Sequence, residues 1–319
     1  MKFKLLILLS CFIGSQSVFS QSHVNEIGIQ TDNDSYLAQG SDRYYTDGIF
    51  IYYNHALQVK NSDSAVLRNK VLGFEIGQKI FNPQSGYVPS RVFVDRPFAG
   101  YLYAGITLNF LFKNESNIKI GAQLGVVGPA SQAEQVQTFV HKNFGFYEPG
   151  GWQYQIQNEA ELNLSAQYNK LLARGPWIDI SLLSYVNLGN GFTGAGLGPL
   201  IRAGSFNQLF NSVSTQSTVI NQDNASALHP HELFFYYKPL FNYVAYDATI
   251  QGGLFDTHNS NSLEITLNRE PFVFSQQFGV AFTSRRFVID AAAIFHSIDV
   301  KEMKRSHQWG SVTALYRFK

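Results

Sequence analysis

Asp32, Asn33 and Asp34 set two carboxylates around an amide oxygen, and a short polar stretch later Thr46 follows beside Asp47. Carboxylate, amide and hydroxyl oxygens close together are the ligand chemistry of Ca2+. The same residue types also terminate strands and form Asx turns, and threonine is a good strand residue, so the segment has a structural reading beside the chemical one. The second candidate is His141, in Glu134-Gln-Val-Gln-Thr-Phe-Val-His141-Lys-Asn-Phe-Gly145. Imidazole moves protons near neutral pH, but with Val140 and Phe144 as neighbours it can equally be a packed or solvent-facing side chain. Of the eight histidines, His55, His229, His231, His258, His296 and His307 have no partner at a recognisable spacing, and His23 stands near the N-terminus. No His-Glu-x-x-His or Gly-x-Ser-x-Gly motif appears, which argues against a zinc protease or a serine hydrolase.

The elements that would position these residues read as strands. From Asn25 to Asp34, Ile27, Ile29 and Thr31 alternate with Glu26, Gly28 and Gln30, the period of a strand with unlike faces. A β-branched and aromatic run follows from Tyr44 to Asn54; pairing the two brings Asn33, Asp34 and Thr46 to one rim. Farther on, Leu102, Ala104, Ile106, Leu108, Phe110 and Phe112 share one face, as do Ile118, Ile120, Ala122, Leu124 and Val126. Strand patterns recur to Phe318, about 12 in all, with a polar connection at 207–229 expected to be mobile.

Composition says what those strands cross. Aromatics are 15% of the 319 residues, with 17 Tyr and 27 Phe, while charged residues are only 15%, below the ~25% of an ordinary soluble domain. After the N-terminus no apolar run is long enough for a membrane helix, yet mean hydropathy is -0.10, as expected when apolar and wet faces alternate. The expected fold is a transmembrane antiparallel β-barrel over residues 21–319. Residues 1–20 read as a secretory signal peptide carrying the sole cysteine, Cys11. The net charge of +1 gives no reason to expect nucleic acid as a partner. At 131–144 the period becomes helical through Val136, Phe139, Val140 and Phe144, with Ser131 and Glu134 at capping-box spacing. This one short helix belongs in a long loop on the extracellular side.

Several blocks together carry a resemblance. Thr31-Asp-Asn33-Asp34, Asp42-Arg-Tyr-Tyr-Thr46-Asp-Gly-Ile-Phe, Asp95-Arg-Pro-Phe98, Gly125-Val-Val-Gly-Pro129, Gln135-Val-Gln-x3-His141 and Trp152-Gln-x-Gln-Ile156-x-Asn158 resemble the outer-membrane lipid A 3'-O-deacylase family. The resemblance implies a 12-stranded barrel of the Gram-negative outer membrane that removes the 3'-linked acyloxyacyl chain of lipid A with Ca2+. It implies Asn33, Asp34, Thr46 and His141 as site residues, with Asp34 and Asn33 on the metal. His141 would be the base toward water, Thr46 would orient water or substrate, and Phe139 and Phe144 would border an acyl groove between helix and outer wall. The family's glutamate after the histidine has Tyr147 in its place, with Glu148 one position later. Its basic pair before Asp-Arg-x-Phe is not reproduced; Arg91 is the nearest candidate and Lys79 is farther off. Lipopolysaccharide and outer-membrane lipids are the implied partners, and a monomer is expected. The competing readings are a non-enzymatic barrel, channel or structural, that binds lipopolysaccharide through Ca2+, and an outer-membrane phospholipase.

Overall fold

The computed structural model describes residues 23–38, 42–60, 63–216, 218–221, 227–255 and 262–319; residues 1–20, expected to be a signal peptide, and with them Cys11, lie outside. Twelve antiparallel strands close into one barrel. They are β1 Asn25–Asn33, β2 Tyr45–Ala56, β3 Leu67–Phe81, β4 Ala99–Phe112, β5 Ser116–Val127, β6 Glu159–Arg174, β7 Ile178–Gly189, β8 Phe192–Ser205, β9 Glu232–Asp247, β10 Phe272–Thr283, β11 Phe287–His296 and β12 His307–Phe318. Each strand pairs with its sequence neighbours, and β1 pairs with β12. Closure satisfies every strand edge, the condition for crossing hydrocarbon with strands.

The alternation read from sequence fixes the faces. On β1, Ile27 is 48% exposed and Glu26 1%, so the apolar set faces lipid and the carboxylate faces the lumen. On β4, Ile106 points outward while Tyr103 and Asn109 are buried within, as expected. Long connections, 34–44, 82–98, 128–158, 248–271 and 297–306, gather at one rim, while tight turns such as 113–115 and 284–286 lie at the other. In bacterial barrels the long-loop rim is extracellular.

The connection from β8 to β9 departs from expectation. Instead of a mobile loop, its described residues fold into the tight-turn end of the lumen, where Leu209 and Val219 are fully buried. An asparagine ladder receives it. Asn169 donates to Asn117 and Asn117 to Asn109, each at 2.9 Å, and Asn109 donates to the Thr215 carbonyl at 2.8 Å. Asn69 donates to the Val219 carbonyl, also at 2.8 Å. A polar segment is retained because a polar lumen satisfies its backbone. Arg202, fully buried, ties the plug to the wall through Asp179 (2.6 Å), Ser212 (2.8 Å) and the Asn207 carbonyl (3.0 Å).

The inserted helix α1 spans Ala133–Phe144, two residues shorter at its start than expected. Its N-cap is Gln132 in the left-handed region, and the Ser131 hydroxyl donates to the Gly128 carbonyl at 2.6 Å, so no capping box forms. The buried stripe is Ala133, Gln137 and His141, whereas Phe139 and Phe144 are 68% and 73% exposed. The polar stripe is buried because the end of the same loop folds back under α1 and offers it a polar partner, the Trp152 indole, which donates to Gln137 at 2.9 Å. Gly100 on β4 permits the close approach, since a Cβ there would come within 2.3 Å of Ala133 Cβ. A second short helix, Ala248–Gln251, was not legible.

Removing Asp179 leaves the Arg202 guanidinium in the lumen without its closest carboxylate, a loss on the order of 3–5 kcal/mol. Asp179→Ala is expected to lower the urea unfolding midpoint in lipid vesicles, and the paired Asp179→Leu/Arg202→Leu variant to recover much of the loss.

Candidate active site

The site grows from the last residue of β1. Asn33 faces Asp47 of β2 in register, on the outward face that continues below through Ile27, Ile29, Ile49 and Ile51. The Asn33 amide donates to the Asp47 carboxylate, while its side-chain carbonyl caps the following 3-10 turn by accepting from the Ser35 amide at 2.7 Å. The turn buries Asp34, which is 1% exposed. One Asp34 oxygen accepts from the Arg43 amide at 3.0 Å; the other, Oδ1, is buried and has no partner. Burial, reinforced by the Asp42 and Asp47 carboxylates and opposed by the Arg43 amide, pushes the Asp34 carboxyl up to about 7.

The chain returns through Asp42 and Tyr44, both in the left-handed region (φ 43° and 67°), a backbone cost that surrounding contacts must hold. Tyr44 supplies them. It is fully buried, and its hydroxyl donates at 2.9 Å to Asp95, which also accepts from the Gln84 amide at 2.9 Å. Thr46 lies at the irregularity between Tyr45 and Asp47 in the β2–β3 pairing. Its buried hydroxyl accepts from Asn82 at 3.2 Å.

Helix α1 delivers His141 to the same corner. Its Nε2 lies 2.9 Å from Asp42 Oδ2, and its Nδ1 lies 2.6 Å from the Tyr147 carbonyl oxygen. A carbonyl only accepts, so Nδ1 carries a proton and Nε2 is the nitrogen left to exchange one. The Tyr147 hydroxyl donates to the same Asp42 oxygen; burial and that carboxylate hold the phenol above its ordinary range. Phe146 packs edge-on against the imidazole at 5.5 Å and stacks on Phe144 at 6.2 Å.

Asn33, Asp34 and His141 thus come together, though through Asp42 and Asp47, two carboxylates to which the sequence reading gave no role. The signal for both was present, since they flank Thr46 in one motif and Asp47 falls opposite Asn33 in register. Tyr147 gave no such signal, because its carbonyl acts through loop geometry. Thr46 is adjacent in chain but bonded to Asn82. Glu148 is exposed beside Tyr147, and Arg91 is exposed on the short 3-10 turn Arg91–Phe93.

Asp34, with one buried oxygen unpartnered and the Asp42 and Asp47 carboxylates near enough to push its carboxyl up, offers oxygen donors of the kind a hard cation takes. Asp34 is the first candidate ligand, with Asp42 and Asp47 beside it. Asn33 fits less directly, because its oxygen already accepts the Ser35 amide and has one lone pair to spare. An imidazole with one exchanging nitrogen next to such a cluster, on the outer wall, can activate water toward a substrate that stays in the membrane.

The comparisons bear on the family and the fold. The family described as outer membrane protein LpxR matches residues 5–318. The structure of LpxR from Salmonella typhimurium superposes with a TM-score of 0.73 at 18% identity, covering 92% of this chain and 100% of that one. The β domain of the Bordetella autotransporter BrkA gives 0.49 at 10% identity, with 93% and 99% covered, a weaker likeness. No curated protein sequence matches significantly. With nearly its whole length matched, this chain belongs to the family of outer membrane protein LpxR and is a multi-pass β-barrel of the Gram-negative outer membrane.

Proposed function

We propose that this barrel is a lipid A 3'-O-deacylase, hydrolysing the 3'-linked acyloxyacyl ester with His141 as base and Ca2+ held at Asp34. Family membership supports the coarser part, an outer-membrane lipid A deacylase. The finer part rests on one observation: His141 meets the Asp34, Asp42 and Asp47 cluster on the lipid-facing side of the wall.

His141 Nε2 takes a proton from water, and the hydroxide formed adds to the ester carbonyl. When the tetrahedral adduct collapses, the 3'-oxygen leaves and recovers that proton from Nε2. The products are the acyloxyacyl fatty acid and a free 3'-hydroxyl on lipid A. The Tyr147 carbonyl holds the ring in one tautomer throughout. Asp42 steadies the imidazole before substrate arrives; it keeps the proton shared with Nε2 when that nitrogen turns to water, which leaves the ring neutral and able to accept one. A bound Ca2+ would supply electrostatic stabilisation of the developing oxyanion; Asp34 would hold it, with Asp42, Asp47 and the spare lone pair of Asn33 within the same cluster. Phe146, with Phe144 stacked on it, offers the acyl chain an apolar edge beside His141. Phe139 is exposed on the same helix without a ring contact to this strip. Thr46 serves by holding the β2 irregularity that sets Asp47. Arg91 and Glu148 lie on two loops joined by the Tyr87–Gly150 bridge, with the guanidinium as the headgroup-phosphate candidate.

The plug across the lumen disfavours the channel reading. Mass spectrometry of lipid A from cells expressing wild type and His141→Ala tests the proposal. Loss of one acyloxyacyl group with wild type only, and a drop of about a hundredfold or more in the variant, is expected. Unchanged lipid A in both cell types, or cleavage of labelled phospholipid with lipid A spared, would refute it.

The Asp34 carboxyl also sets a pH dependence. Its folded value, about 7, lies above the unfolded one, so metal-free protein loses stability as pH rises through about 7. Protons and Ca2+ compete for the same oxygens. The Ca2+ needed for half-maximal activity should therefore fall as pH rises through that range, and the Ca2+-induced gain in melting temperature should grow. Full activity in excess chelator would contradict the role given to the ion.

A further inference from the structure

On the inner side of the wall, the hairpin of β11 and β12 carries a second group of ligand-bearing side chains. His296 ends β11, His307 begins β12, and the two are partners in register, their rings 5.0 Å apart between centroids. Asp299 stands in the connection between them. Each of the three can offer one ligand atom such that all lie within 4.8 Å of one another. The sequence reading found no partner for either histidine, because their separation follows no helical motif; the strand register makes them neighbours.

What marks this cluster is the state of its polar atoms. His296 Nδ1, His307 Nδ1 and Asp299 Oδ1 are all buried without a hydrogen-bond partner, and His307 is only 5% exposed. An unsatisfied buried polar atom works against folding, and three of them on one hairpin are not explained by packing. Aromatic rings hold the imidazoles in place: Trp309 stacks on His307 at 5.3 Å and Tyr44 meets it edge-on at 5.7 Å. The cluster lines a lumen cavity of about 570 Å³ together with Asp32, Arg96 and Trp309. Ion and water therefore have room there.

We propose that His296, Asp299 and His307 form a binding site for a divalent first-row transition ion of the Zn2+ class, separate from the carboxylate cluster outside. Two imidazoles with one carboxylate are the ligand set such ions take, whereas Ca2+ takes oxygens. Metal–nitrogen distances of about 2.1 Å require the trio to close by roughly one ångström, within reach of side-chain rotation. Arg96 opposes the site, its Nε lying 3.7 Å from Asp299 Oδ2. That oxygen is distinct from the unpartnered Oδ1, and Asp247 also interacts with the guanidinium charge. Three protein ligands leave positions for water, and no reaction is assigned to the ion. It would clip β11 to β12 directly behind Tyr44, which anchors the loop bearing Asp42.

The test uses full-length barrel in detergent, stripped with chelator and titrated with Co2+ in excess Ca2+, which occupies the outer carboxylates. The expected result is one Co2+ per chain with visible d–d absorption, displaced by Zn2+, lost in His307→Gln and retained in His141→Ala. Heat-modifiable gel migration checks that each variant is folded. His307→Cys keeps a ligand, so it should bind Co2+ and add a sulfur-to-metal charge-transfer band, a readout that stands even where His307→Gln does not fold. No binding by wild type, an unchanged spectrum in folded His307→Gln, absence of the band in folded His307→Cys, or loss of the signal in His141→Ala would each overturn the proposal.

Discussion

Crowded negative charge at the outer rim is the constraint around which this end of the barrel is built. Asp34, Asp42 and Asp47 interact with one another, and one Asp34 oxygen is buried with nothing to accept from. Like charges so close, and a carboxylate taken out of water, both work against folding. The chain meets that cost with specific devices: the Asn33 amide on Asp47, the Arg43 amide on Asp34, and His141 with Tyr147 on Asp42. What remains unmet is one whole oxygen, Asp34 Oδ1, the feature a cation would satisfy.

The barrel makes such a cluster possible on its outer side. Because side chains alternate across the wall, Asn33 and Asp47 sit above a column of isoleucines facing lipid, while Asp32, one residue earlier, points into the lumen and accepts from Tyr45 at 2.8 Å. The outward set faces the leaflet, and the inward set belongs to a lumen plugged at its far end. Helix α1 brings His141 to this cluster from outside the wall. It buries Gln137 and His141 and turns its phenylalanines outward, a choice that makes sense only where the surroundings are as apolar as the helix itself.

Much of this was legible in sequence, for physical reasons that particular residues show. Strict alternation in Tyr101 to Phe112 admits only one assignment of faces, and closure then follows because hydrocarbon leaves no water for an open strand edge. The neighbourhood of Asn33, Asp34 and Thr46 was readable because short-range strand pairing fixes it. Other features resisted because they depend on three-dimensional surroundings. The orientation of α1 could not be read from its own apolar residues, since Phe139 and Phe144 would be buried in a soluble protein and face outward here. The segment after Ser205 looked like mobile coil, because the asparagines that receive it come from β3, β4, β5 and β6. Asp42 and Tyr147 act through a left-handed backbone turn and a loop carbonyl, neither of which residue type announces.

The central claim is that the outer carboxylate cluster is a cation site centred on Asp34. Calorimetric titration of the chelator-stripped barrel with Ca2+ tests it most directly, comparing wild type with Asp34→Asn, which keeps the shape and the Arg43 amide bond but removes the charge. The account predicts binding of one ion by wild type and its loss in the variant. Equal binding by both proteins, or none by wild type, would contradict it.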